Sequence, residues 1–128
     1  MVEMEVQIMG NSDGRRRLGS WGEQAAANFV RTLGWQVVDQ NWRCTAGEVD
    51  LVAHDETGAV VLIEVKTRSG LGFGAPLESI TWRKQAKLRE LAVLWRREHP
   101  EAGGVRVDAI GVLRDGQDVT FSHVRGVA

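Results

Sequence analysis

The stretch GEVDLVAHDETGAVVLIEVKTRSG, residues 47–70, limits the fold more tightly than any other part of the chain. Two apolar runs rich in β-forming residues flank a short polar turn with glycine at its end, the composition of a β-hairpin. With Gly58 in the left-handed conformation, Asp55 to Ala59 close as a three-residue loop with a bulge, and Asp55 faces Ala59. That register sets Asp50 opposite Glu64 and Glu48 opposite Lys66. Side chains alternate across a strand, so Glu64 and Lys66 share one face while Val61, Ile63 and Val65 share the other. In the preceding strand Glu48 and Asp50 share a face, opposite Val49, Leu51 and Ala53.

The acids and the lysine therefore gather at the end of the hairpin away from its turn. Two carboxylates beside one ammonium leave surplus negative charge, and like charges held close raise a pKa unless a cation intervenes. Magnesium prefers oxygen and is commonly held by one or two carboxylates together with substrate phosphates. Such an ion activates water and offsets charge on a phosphoryl group. The alternative is a salt-bridged strand end, with Lys66 paired to Asp50 and Glu64 and no chemistry. E-x-K on a strand is a common pattern, and spacing alone leaves both readings open.

Around the hairpin the chain reads as one domain with no repeat or linker. Residues 1–13 lack periodicity and are expected as a loose N-terminal tail, with a single domain over 14–128. Leu18, Trp21, Ala25 and Phe29 recur at helical spacing between Arg15 and Leu33, and Gly34 stops that helix. Residues 35–42 read as a first strand, with the hairpin supplying the second and third. Pro76 and its neighbouring glycines make a loop, and Ile80 to Glu98 a second helix with Ile80, Leu88, Leu91, Ala92 and Trp95 on its core side. VRVDAIGVL and DVTFSHV close the chain as two strands about the turn Arg114-Asp115-Gly116. The order is α-β-β-β-α-β-β, an α/β chain whose mixed central sheet is flanked by helices on both faces.

Composition narrows the function. The single Cys44 excludes an internal disulfide, and Cys44, His54, His99 and His123 show no zinc spacing and are read as structural or surface residues. No apolar run nears the ~20 residues that span a bilayer and no signal-peptide pattern opens the chain, so a cytoplasmic protein without a membrane partner is expected. Net charge is −1, but Glu3, Glu5 and Asp13 leave residues 14–128 at +2. Most of the 16 basic residues are arginines, suited to bidentate phosphate contacts, and they cluster at 14–17 and along 81–97. An arginine-rich solvated surface is the competing reading of those clusters. Trp35, Trp42 and Trp95 are expected in the core, while Trp82 beside Arg83 and Lys84 suits a nucleic-acid contact. The glycines of GLGFG lack the helix and lysine of a phosphate-binding loop and are read as a loop at the rim of the site.

Asp50, then Glu64-Val65-Lys66 after thirteen residues, within this element order, resembles the PD-(D/E)xK nuclease superfamily, with its restriction-endonuclease-like fold. More closely, the chain resembles the YraN family of predicted endonucleases, which are similar to archaeal Holliday junction resolvases. The resemblance runs through LGSWGEQAAANFVRTLGWQVVDQNWR, the hairpin, GAPLESITWRKQAKLRELAVLW and VRVDAIGV, and leaves out residues 1–13. Val49 stands where the superfamily has its proline. The resemblance implies a Mg²⁺- or Mn²⁺-dependent endonuclease acting on DNA, branched or junction DNA included, and working as a homodimer. It assigns Asp50 and Glu64 to the metal, Glu23 as a further acid there, and Lys66 to the attacking water. Glu48 and Asp108 stay unassigned, with Arg106 on the face of Asp108 to neutralise it. Expected DNA contacts are Arg15, Arg16 and Arg17, Arg68 beyond Lys66, and Arg83, Lys84 and Lys87 on the second helix. A module that binds nucleic acid with this fold but cleaves little or not at all is the alternative.

Overall fold

The computed structural model describes residues 11–70 and 74–128, with side chains at all of these except 11–15 and 79. Its elements are α1 (Asn11–Thr32), β1 (Gln36–Cys44), β2 (Gly47–His54), β3 (Val60–Ser69), a 3-10 turn (Pro76–Ser79), α2 (Trp82–Glu98), β4 (Val105–Asp115) and β5 (Asp118–Val124). The strands form one sheet in the order β1-β2-β3-β4-β5. Pairing is antiparallel except between β3 and β4, which run parallel because α2 crosses over between them. This is the expected mixed sheet and element order.

Each face of the sheet has its own apolar core. Leu51, Ala53, Val61, Ile63, Val65, Ile110 and Val112 pack against Ala26, Ala27 and Val30 of α1. Val52, Leu62 and Val107 pack against Leu88, Leu91 and Trp95 of α2 on the opposite face. The small alanines of α1 let the helix lie close on the sheet, and burial of the branched strand residues supplies the apolar stabilisation.

Several boundaries differ from the sequence expectation for local reasons. α1 begins at Asn11 instead of Arg15; of the expected tail, residues 1–10 lie outside the described residues. At its other end Gly34 has φ +85°, and the Gly34 and Trp35 amides donate to the carbonyls of Arg31 and Val30 at 3.0 and 3.1 Å. That pair of bonds closes the helix and delivers the buried Trp35 into the core beside Val30. α2 begins at Trp82, because Thr81 has extended backbone and its hydroxyl caps the Lys84 amide. Ile80 therefore precedes the helix and is not among its buried residues. The last hairpin turns at Gly116-Gln117, with Asp115 paired to Asp118, one step beyond the expected turn.

Candidate active site

The hairpin loop forms as expected. Gly58 has φ +88°, and the Asp55 amide donates to the Ala59 carbonyl at 2.9 Å. From there the β2–β3 ladder runs from His54↔Val60 to Leu51↔Ile63 and ends. At the next step the Val65 amide donates to Asp50 Oδ2 at 2.8 Å. A side-chain carboxylate has taken the acceptor role that a main-chain carbonyl fills in a regular ladder. Asp50 and Glu64, and Glu48 and Lys66, are thus not paired rungs. Glu48 instead meets Arg43 of β1, Oε2 to Nε at 3.1 Å.

The same departure breaks the alternation of β2. Val49, expected with Leu51 and Ala53, packs with Val52 on the α2 side. Freed from β3, the strand rotates its main chain at Asp50, and the carboxylate reaches across to the Val65 amide. On β3, Glu64 follows Leu62 to the α2 side of the sheet by alternation. Asp50 stands at the break itself, so alternation assigns it no face; its Val65 bond and its electrostatic coupling to Glu64 and Glu23 place it beside both acids.

Glu64 is buried and is met by two ammonium groups. Lys66 Nζ lies 3.4 Å and Lys84 Nζ 3.5 Å from its Oε1. Lys84 stands in the first turn of α2, where the Thr81 cap fixes the helix start. Sequence reasoning placed Lys84 on the DNA-binding surface and missed this contact. The signal available was the capping pattern, threonine three residues before the lysine, which sets Lys84 in the first turn.

Glu23 arrives from α1 on the other side of the sheet. Gly22 makes this approach possible, since a Cβ there would lie 2.8 Å from the Thr67 Cβ and closer still to its hydroxyl. The helix thus sits directly on β3 at Thr67, and the next residue, Glu23, stands within electrostatic reach of Asp50, Glu64 and Glu48. Burial, then Glu48, raises the Glu23 pKa above its ordinary value. Asp50 is pushed up to about 7, by its burial first and then by Glu64, against the lowering effect of the Val65 amide. Glu48 adds to the same repulsion from the exposed side.

The remaining expected contacts divide by location. Trp82 is 72% exposed, with the Arg83 guanidinium 5.6 Å from its ring centroid. Lys87 is exposed and pairs with Glu90 at 3.5 Å. Arg68 continues the face of Lys66 and donates to the Thr67 carbonyl at 3.0 Å. Arg16 and Arg17 are exposed on α1, while the Arg15 side chain lies outside the described residues. Asp108, fully buried, belongs to a separate structure at the turn end of the hairpin. Arg106 grips it with Nε at 2.8 Å and a terminal nitrogen at 3.2 Å, as expected from their shared face. His123 Nε2 at 2.8 Å and the Gly126 amide at 3.0 Å complete its bonding. Arg106 also reaches Asp55 at 3.2 Å. These partners explain the buried acid without chemistry, and His123 is structural as expected. The β4–β5 register, counted back from Gly116, is the signal that would have found the histidine.

The donors near Asp50 are hard oxygens in excess of nearby positive charge, which suits a hard divalent cation. Among the described residues no three His, Cys, Asp or Glu side chains form a ready-made cage. Magnesium does not need one, since it keeps several waters and takes one or two carboxylates together with substrate phosphate. Also among the described residues, no helix is long and apolar enough to cross a membrane.

The model of "Uncharacterised protein family UPF0102" matches residues 22–112, which include Glu23, Asp50, Glu64, Lys66 and α2. A UPF0102 protein of Acidothermus cellulolyticus is 43% identical over 93% of this chain and 98% of its own length. One from Clavibacter michiganensis is 50% identical over 78% of this chain and 86% of its own. Among solved structures, a chain described as "Structure of EndoMS-dsDNA2 complex" is similar at 15% identity and a TM-score of 0.36, covering 65% of this chain and 29% of that one.

Proposed function

Since the chain belongs to UPF0102 (the YraN family), whose description names no activity, we propose its function from the site: a metal-dependent endonuclease that hydrolyses phosphodiester bonds in DNA. The observation that carries this reading is the gathering of Glu23, Asp50 and Glu64, from α1, β2 and β3, where the hairpin ladder ends, with Asp50 pushed up to about 7. Lys66 and Lys84 pair with Glu64, yet neither is paired with Asp50, whose raised pKa comes from burial first and from Glu64 second. Asp50 and Glu64 would hold Mg²⁺ or Mn²⁺, with Glu23 as the further acid. The bound ion would supply an activated water and stabilise charge on the phosphoryl group.

The chain's own groups take the other roles. Lys66, beside Glu64, orients the attacking water and meets charge developing on the phosphate. Water oxygen bonds to phosphorus as one P–O ester bond breaks, and the leaving oxygen takes a proton. Trp82, Arg83, Lys87 and Arg68 hold the DNA, by stacking and by phosphate contacts. The test is cleavage of linear, flapped and four-way-junction DNA with Mg²⁺ or Mn²⁺, against chelator and Asp50→Asn. Metal-dependent cleavage lost in the variant supports the reading; equal cleavage in the variant or in chelator rejects it.

A second reading, a DNA-binding module without cleavage, is favoured by one contact: both nearby lysines are engaged with Glu64. It predicts binding of the same DNAs and no products under any metal.

A further inference from the structure

A groove of about 690 Å³ lies between α1 and β1, beside the acidic cluster. Its wall is the first half of α1, through Arg16, Arg17, Ser20, Trp21 and Gln24, and its floor is Gln40 and Asn41 of β1. Glu23 lines one part of it and belongs equally to the candidate active site, so groove and site are continuous.

The chemistry of the lining is specific. Arg16 and Arg17 are exposed, and neither has an ion-pair partner among the described residues. The side-chain amides of Gln40 and Asn41 have no hydrogen-bond partner among the described residues either, while the Gln40 backbone amide donates to Asp39 Oδ1 at 2.8 Å. Trp21 is half-buried: its ring packs in part against the α1-side core and has the Arg114 guanidinium 5.0 Å from its centroid, and its remaining exposed part lines the groove. A flat ring, amides that both donate and accept, and guanidinium groups at the mouth match the three parts of a nucleotide. The ring stacks on a base, the amides meet its edge, and the arginines meet the phosphate. A base paired within a duplex presents neither its face nor its pairing edge, so the fit is to an unpaired one.

Backbone conformation adds an independent observation. Asn41 has φ +55° and is the one non-glycine with positive φ among the described residues. That conformation costs about 1–2 kcal/mol in an L-residue, least for asparagine, and such strain concentrates at functional sites. It occurs in the groove floor, next to Gln40, which faces Leu51 in the β1–β2 ladder.

We propose that the groove between α1 and β1 binds an unpaired nucleotide of the DNA strand beside the acidic cluster, selecting substrates with single-stranded segments. This rests on the DNA reading of the neighbouring site but not on cleavage, so it is tested by binding in chelator. Fluorescence anisotropy compares end-labelled continuous duplex with a duplex of equal length carrying a short single-stranded gap. The wild-type protein binds the gapped DNA roughly fivefold or more tightly, the least expected for one stacked base. The surface variant Gln24→Ala/Gln40→Ala/Asn41→Gly, which keeps Trp21 but removes the amides that meet the base edge, lowers that ratio at least about twofold while its thermal melting shows a retained fold. Equal wild-type affinity for both DNAs overturns the groove assignment, as does a ratio unchanged in the variant. Absence of binding to either DNA overturns it together with the DNA reading. A groove-dependent preference without metal-dependent cleavage upholds the groove and rejects the nuclease reading alone.

Discussion

The Val65 amide donates to Asp50 Oδ2 at 2.8 Å, one step past the last rung between β2 and β3. This bond holds the carboxylate among other acids, where burial and Glu64 keep its pKa near 7. In Asp50→Asn the side-chain oxygen can still accept from Val65 while the charge is gone. Cleavage should fall by at least about a hundredfold, as expected when a group facing reaction charge is removed. Product yield on the best DNA substrate, at fixed Mg²⁺, measures it.

The same variant has a stability signature. The folded pKa of Asp50 lies above its unfolded value, so the folded state holds the proton more tightly. The stability that Asp50 contributes is therefore greatest below about pH 4, declines as pH rises toward 7, and is flat above. In chelator, Asp50→Asn should be the more stable protein at pH 8, by roughly 4 kcal/mol at most, and should lose that advantage toward pH 4. Urea unfolding at the two pH values decides it. A variant less stable than the wild type at pH 8 would mean that the carboxylate is not under strain.

Lys66 and Lys84 touch the same oxygen of Glu64 but sit on different elements. Lys66→Ala should leave metal binding in place and lower turnover by about a hundredfold or more, the range for loss of a group that meets charge developing in the reaction. Calorimetric titration with Mn²⁺ separates the two effects. Loss of metal binding in a folded variant would reassign Lys66.

Gly22 is the contact point of α1 with β3. Gly22→Ala should destabilise the protein by roughly 1–3 kcal/mol, because Thr67 is short and cannot swing away. Thr67→Ala should restore part of the loss, since it removes the hydroxyl and methyl but leaves the Cβ at 2.8 Å. Thermal melts of the single and double variants test this pair.

Asp55 shows the opposite titration to Asp50. Its bonds from Thr57, the Ala59 amide and Arg106 hold its pKa down at about 2. The stability it contributes is complete above about pH 4 and is lost as pH falls through 2. Asp55→Ala should cost roughly 1–3 kcal/mol at neutral pH, and the gap from wild type should narrow in acid. Denaturant unfolding at pH 6 and pH 2.5 measures it.

Much of this was legible before any coordinates. The hairpin register followed from Gly58 and the polar loop, and the two-layer core from the spacing of Ala26, Val30, Leu88, Leu91 and Trp95. What escaped was set by contacts between distant segments. The twist at Asp50 depends on an amide of the neighbouring strand, and alternation alone cannot announce it. Lys84 reaches Glu64 only because α2 begins at Trp82. Asp108 stayed unassigned because, although Arg106 was in view on its own strand, its histidine partner stands on β5, beyond the last turn. Glu23 offered little local signal; Gly22 before it was the mark of a helix pressed against something.

The braced loop at Asp55–Ala59 has a practical meaning for anyone who would label or split this chain. Its tip is exposed, which ordinarily marks a permissive position. Yet Glu56 accepts from the Trp35 indole and pairs with Arg125 at 3.5 Å, and Asp55 ties the loop to Arg106. A reporter inserted there would disturb β1, β4 and the C-terminal residues together. The Gly116-Gln117 turn, with exposed residues on both sides, is the safer place for a probe or a new pair of termini.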